Sequence, residues 1–377
     1  MTKPAEILDG KTGLHRLAFE ARRHARWARE EGLAKLIEED QLNVFERAPV
    51  AARKFLWRST QGVHRGLATP VFLLGAQRSG TNMVVHGLER SPEFEVHNEN
   101  DRKVFVRYQL RGLGVVRDVV QSSRARFVLF KPLCDSHRTD RLLDDLGATM
   151  PGRAIWAYRG MEGRVRSSLS KFRDHNLTIM ADIAAGRGLD RWQAQGIRPD
   201  TMALIRSFDW SRQTPASASA LFWYTRNRLL FDLELADRPD VVVVSYRALV
   251  KEPREAFEPV SNLLGLHWRE ELVAHIDARE SSSGPKPPLD IDPLIREVCV
   301  ELEARLDAVA AAHRGRAVPV DPVPTRPVTN PAELAVRSSV SPVIAAGDDG
   351  GSADAAEGDD VRAAPASDAT ESLGRTA

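Results

Sequence analysis

The chain has 377 residues, 42% of them apolar, long enough for one large domain with extensions or for two. No stretch approaches the ~18 consecutive apolar residues of a transmembrane helix, and the N-terminus lacks the apolar core of a secretory signal. Its two cysteines, Cys134 and Cys299, lack metal-ligand spacing, which points to a reduced, cytoplasmic protein. The net charge is +1, but eight acidic residues and two Arg leave residues 338–377 at −6, so the preceding 337 residues carry +7. A basic body suits an anionic ligand. Its basic residues are dispersed with few aromatics between them, which argues against nucleic acid. The Arg- and Ala-rich composition suggests a bacterial source.

Residues 1–68 read as a helical, Arg-rich N-terminal extension. Leu14, Leu17, Ala21, Ala25 and Ala28 fall at helical spacing, so the segment packs an amphipathic face on the main domain or touches a membrane surface peripherally. Residues 69–316 form the main domain. Short apolar runs, PVFLLG (70–75), EFEVHN (93–98), FVLFKP (127–132), AIWAYR (154–159) and VVVVSY (241–246), alternate with helical patterns. Several runs are continuously apolar, as in parallel strands buried on both faces. The expected fold is therefore α/β, three-layered and P-loop-like, with a central, mainly parallel five-stranded sheet. Residues 174–220 read as a helical insertion placed to cap a site and shape an acceptor pocket. Residues 317–377 turn Pro-rich, then acidic, and read as a disordered tail.

The stretch GAQRSGTN, residues 75–82, ends the first strand and opens a helix near Thr81. A helix start offers outward N–H groups and positive potential, so an anion binds there. Gly75 and Gly80 allow close approach, Arg78 adds a guanidinium, and Ser79, Thr81 and Asn82 add donors. An ATP-binding loop reads G-x-x-x-x-G-K-[ST]; here Thr81 and Asn82 replace its Lys and its Mg²⁺-binding hydroxyl. The loop should hold a phosphate without a nucleotide-bound Mg²⁺; otherwise it is an ordinary strand–helix turn. After the fourth run, Arg159 sits at the strand end where open parallel sheets bind ligands, and Ser167 follows eight residues on. The two would hold a second phosphate if they converge. The last strand continues into SYRALVKEP, a helix and LLGL.

Taken together and in this order, GxxRSGT, the Arg–Ser pair and the strand–SYRALVKEP–helix–LLGL ending resemble the sulfotransferases that use 3′-phosphoadenosine 5′-phosphosulfate (PAPS). The resemblance covers about residues 70–300. It implies that the loop, with Gln77, Arg78, Ser79, Gly80, Thr81 and Asn82, cradles the 5′ end of PAPS. It also implies that Arg159 and Ser167 take the 3′-phosphate, that PAP (3′-phosphoadenosine 5′-phosphate) is the product, and that no metal takes part. Lys286, in SSSGPKPP (281–288), falls where some relatives bring a basic loop over the nucleotide. Trp223 and Asn227 fall where the family has a tryptophan-bearing helix. The chain departs from the family at Asn82, often Thr, at Gln77, often Pro, and at Gly160 and Met161, usually a polar residue and Pro.

Transfer to an alcohol needs a base for the hydroxyl proton and support for the leaving phosphate. The family's cytosolic branch places a His two residues after a Lys. Here Lys131 matches the Lys, but Leu133 stands at the His position. A second branch of the family, which the chain resembles more closely, uses a Glu after the second strand; Glu99 matches, with His97 and Glu95 as rivals. Arg78 and Lys131 would stabilise the developing charge. The acceptor, a small molecule, glycan or lipid with a hydroxyl or amine, is not legible. A P-loop nucleotide kinase or NTPase, and a nucleotide-binding protein without activity, are the competing readings.

Overall fold

A computed structural model describes residues 44–147, 150–276 and 287–315. Most of the N-terminal extension, residues 1–43, and the tail from 317 lie outside the described residues, as does Lys286. The order of elements is α1 (Val44–Thr60), β1 (Thr69–Gly75), α2 (Thr81–Arg90), β2 (Phe94–His97), β3 (Phe105–Val106), β4 (Gln109–Leu110), α3 (Leu113–Ser122) and β5 (Phe127–Phe130). There follow a 3-10 turn (Leu133–Arg138), α4 (Thr139–Gly147), β6 (Arg153–Tyr158), α5 (Met161–Phe172), α6 (His175–Ala184) and α7 (Pro199–Arg206). The last are α8 (Pro215–Asp232), β7 (Val241–Ser245), α9 (Tyr246–Lys251), α10 (Pro253–Leu264) and α11 (Pro293–Arg314).

All five apolar runs are strands of one sheet in the order β2-β5-β1-β6-β7, and every neighbouring pair is parallel. Alternation sends successive side chains to two separate cores. Phe72, Leu74, Val128, Phe130, Ala154, Trp156, Val241 and Val243 meet α3, α4, α5, α8 and α11 on one face. Val71, Leu73, Phe127, Leu129, Ile155, Ala157, Val242 and Val244 meet α2 and α10 on the other. This is the three-layer α/β fold expected from the runs.

The strand order places the site. The chain leaves β1 toward β2 at one edge of the sheet and leaves β6 toward β7 at the other. The loops after β1 and β6 therefore part over a crevice at the strands' carboxyl ends, where open sheets bind ligands. Gly75 closes β1 with φ +117°, and a Cβ there would stand 2.1 Å from the Ala157 carbonyl oxygen of β6. Gly75→Ala is expected to lower stability by more than ~2 kcal/mol in urea unfolding, since strain and a backbone clash combine. A neutral result would show that the β1–β6 pair can slide apart.

Two features differ from the sequence reading. The range 174–220 is not one insertion: it holds α6, α7 and their connections, but its last residues open Pro215–Asp232, a single helix whose residues from Ala216 to Trp223 are all buried in the core. A short antiparallel hairpin, β3–β4, follows the second strand. Its two turn residues, Arg107 and Tyr108, have φ 50° and 67°, the left-handed values of a tight hairpin turn. Neither is Gly or Asn, so the usual hairpin signal is absent from the sequence. Asp135 holds the hairpin down by accepting the Leu110 N–H at 2.8 Å.

Candidate active site

The loop from Gly75 to Thr81 rises from β1 into α2. Gly80 is the N-cap residue of α2, in the left-handed region at φ 82°, and no side chain caps the helix. Its missing Cβ leaves room for Tyr246, whose Cδ2 would lie 2.4 Å from that atom. Ser79 is fully buried, and its hydroxyl has no hydrogen-bond partner among the described residues. An open helix start beside an unsatisfied hydroxyl is a place for an anion. The start of α5 differs: the Glu303 carboxylate already accepts the Met161 N–H at 2.7 Å.

Arg78 is itself left-handed, at φ 69°. Its Nε donates to Ser167 Oγ at 3.0 Å, so the loop and α5 are joined side chain to side chain. Arg159, at the end of β6, lays its guanidinium 4.3 Å from the ring centroid of Tyr246. Its carbonyl accepts the indole N–H of the buried Trp223 at 2.8 Å. Tyr246 thus touches both the β1–α2 loop, at Gly80, and Arg159 at the end of β6. In the sequence it stands only within the strand–SYRALVKEP unit; its signal is position, an aromatic residue directly after a strand's carboxyl end. Trp223, whose role the sequence left open, sits under Arg159. Asn227 donates to the Trp223 carbonyl at 3.0 Å.

On the other side of the loop, Lys131 extends from β5. Its Nζ donates to Asn82 Oδ1 at 2.7 Å and pairs with Glu99 Oε1 at 3.4 Å. An ammonium therefore stands beside the position where an ATP-binding loop keeps its Mg²⁺ hydroxyl. Glu99 lies in the turn just past β2, with 17% of its side chain exposed. Burial raises its pKa, Lys131 opposes that, and Asp135 adds to it.

The other two base candidates are engaged elsewhere. His97 Nδ1 meets Asp101 Oδ2 at 2.6 Å and Nε2 meets Glu95 Oε1 at 3.2 Å. Burial works against its charge, but these two carboxylates outweigh burial and raise its pKa. The His97 bond, with help from Ser123 and against burial, holds Glu95 down at about 2. The structure thus brings Gln77, Arg78, Ser79, Gly80, Thr81, Asn82, Lys131, Glu99, Arg159 and Ser167 to the carboxyl ends of the strands, and ties His97 into a bridge with Glu95 and Asp101. Pro287, next to Lys286 in the chain, accepts from Arg166 on α5 at 2.7 Å. Among the described residues, no group of three or more His, Cys, Asp or Glu is arranged to hold a metal ion, and no helix is long and apolar enough to cross a membrane.

No protein-family model matches the sequence, and no curated protein matches it. Among solved structures, the chain is similar to the sulfotransferase domain from the curacin biosynthetic pathway, at 12% identity and a TM-score of 0.35, over 63% of this chain and 98% of that one. It is also similar to a sulfotransferase from Alicyclobacillus acidocaldarius, at 14% identity and a TM-score of 0.36, over 66% and 96%. A third is the sulfotransferase domain from the Synechococcus PCC 7002 olefin synthase, at 15% identity and a TM-score of 0.30, over 67% and 90%.

Proposed function

We propose that this chain is a sulfotransferase that moves the sulfuryl group of PAPS to a hydroxyl or amine of an acceptor. The observation that carries the reading is the bond between Arg78 on the loop and Ser167 on α5. It joins two motifs that lie 89 residues apart, as a single nucleotide with a phosphate at each end would need. The uncapped start of α2 and the unpartnered Ser79 hydroxyl fit a 5′-phosphate, and Arg159 and Ser167 fit the 3′-phosphate. Thr81 and Asn82 offer neither the Lys nor the Mg²⁺ hydroxyl of an ATP loop, which weighs against a kinase.

The roles follow from charge and position. Glu99 takes the acceptor proton, and of the three candidates its side chain is the one that pairs with the Lys131 ammonium. When bound, PAPS supplies the sulfur that the acceptor oxygen or nitrogen attacks, and its bond to the bridging phosphate oxygen breaks toward that oxygen. Lys131, Arg78 and the N–H groups at the start of α2 hold the charge that develops there. Trp223 fixes the backbone beneath Arg159. The α6–α7 segment is our candidate for the acceptor pocket's roof. Two buried free thiols, Cys134 and Cys299, suit a cytoplasmic setting.

Calorimetry with PAP in the presence of EDTA tests the donor site. Wild type is expected to bind PAP without metal. Arg159→Ala is expected to bind it more weakly by roughly 1.5–3 kcal/mol, the scale of a hydrogen bond to a charged group. If the protein ignores PAP and binds ATP only with Mg²⁺, the sulfotransferase reading fails and the kinase one stands.

A further inference from the structure

A second guanidinium lies beneath the phosphate loop, and none of the roles above uses it. Arg164, on the second turn of α5, is 1% exposed. Its Nε donates to the Gln77 carbonyl at 3.3 Å and its Nη1 to the Ser219 carbonyl at 3.0 Å. Its guanidinium also lies 5.2 Å from the Phe222 ring centroid. Among the described residues no carboxylate pairs with it. Burial lowers its pKa to about 9, and the neighbouring charge that acts on it is another cation, Arg78. Two other buried arginines differ: Arg126 pairs with Glu93 at 2.8 Å, and Arg226 feels the charge of Asp135. A buried cation beside a second cation is costly unless an anion arrives to balance it.

We propose that Arg164 is a positioning residue for the donor's 5′-phosphate, acting through the loop that it holds. By fixing the Gln77 carbonyl inward, it turns the N–H groups that follow, from Arg78 to Thr81, toward the ligand, and its own charge is balanced by the bound phosphate. This rests on the PAPS reading above and adds a residue to it. The effect belongs to the 5′ end because Gln77 is part of the loop, while the start of α5, below Arg159, is already capped by Glu303. The sequence gives little hint of it, since an Arg on a helix reads as solvent-facing.

The test compares PAP with adenosine 3′-monophosphate, which lacks the 5′-phosphate, by calorimetry on wild type, R164M and R164K. R164M is expected to bind PAP about tenfold to a hundredfold more weakly, as when a charge-assisted contact is lost. Its affinity for adenosine 3′-monophosphate should stay within about threefold, since the 3′ site is untouched. R164K keeps the charge but loses the fork, and should recover part of the PAP affinity, leaving it between R164M and wild type. A strut that merely ties α5 to the loop would weaken both ligands alike and would not be rescued by lysine; that pattern overturns the inference. If R164M does not fold, R164K decides: a loss of PAP affinity at least about threefold larger than its loss for adenosine 3′-monophosphate supports the inference, and equal losses reject it. Wild type that does not bind PAP rejects the donor reading itself, and this inference with it.

Discussion

Glu99→Gln is expected to lower kcat by about 10²–10⁴-fold, the usual worth of a general base, while PAP affinity stays within about twofold. The amide keeps the shape of the side chain but cannot accept the acceptor's proton. Because Glu99 lies past β2, outside the loop that grips the donor, binding and chemistry should separate. The pH profile gives a second readout. The base works only when ionised, and burial raises its pKa above the ordinary carboxylate range. The rate of wild type should therefore rise with pH along a limb that lies above that range, and E99Q should lose the limb. Lys131 opposes the shift, so Lys131→Met should move the limb to still higher pH. An E99Q variant that keeps wild-type kcat would transfer the role to another group or show that no base is needed.

Arg78→Ala should produce the other large effect, and it should touch both binding and rate. The guanidinium sits on the loop and is bonded to Ser167, so its removal opens the junction between the two phosphate elements. PAP binding is expected to weaken by roughly 1.5–3 kcal/mol. Beyond that, kcat should fall by about 10²–10³-fold if Arg78 also stabilises the leaving phosphate, as donors of this type do. Arg78→Lys should rescue only part of the loss, because an ammonium cannot present two donors in a fixed fork. Calorimetry and steady-state kinetics on the same two variants separate the terms. A loss in binding alone, with kcat intact, would confine Arg78 to holding the donor.

Much of this was legible in the chain before it folded. Four of the five strands of the main sheet announced themselves by a continuous apolar run, because a parallel strand covered on both faces has no polar side to alternate with. The two glycines of GAQRSG marked a loop that the backbone could not otherwise make: Gly75 meets β6 and Gly80 meets Tyr246 where a Cβ would not fit. Lys131 and Glu99 were singled out by the family resemblance, each just past a strand, and the sheet order brings those strand ends side by side.

Other features depended on contacts between distant segments. The sequence offered Glu99 with His97 and Glu95 as rivals; folding bound the two rivals to each other and left Glu99 beside Lys131. It gave no reason to single out Tyr246 or Arg164, whose partners lie 87 residues away: Arg159 for the first, Gln77 for the second. The hairpin after β2 was hidden because its turn residues take left-handed angles without Gly or Asn. The boundary of α8 was missed because the helix is buried nearly all round and shows no polar face to give its period away. Local pattern and backbone chemistry thus determined the strands, the phosphate loop and the candidate charges. Only the tertiary structure decided which charges meet, because an ion pair or a buried cation is defined by neighbours that the order of residues does not disclose.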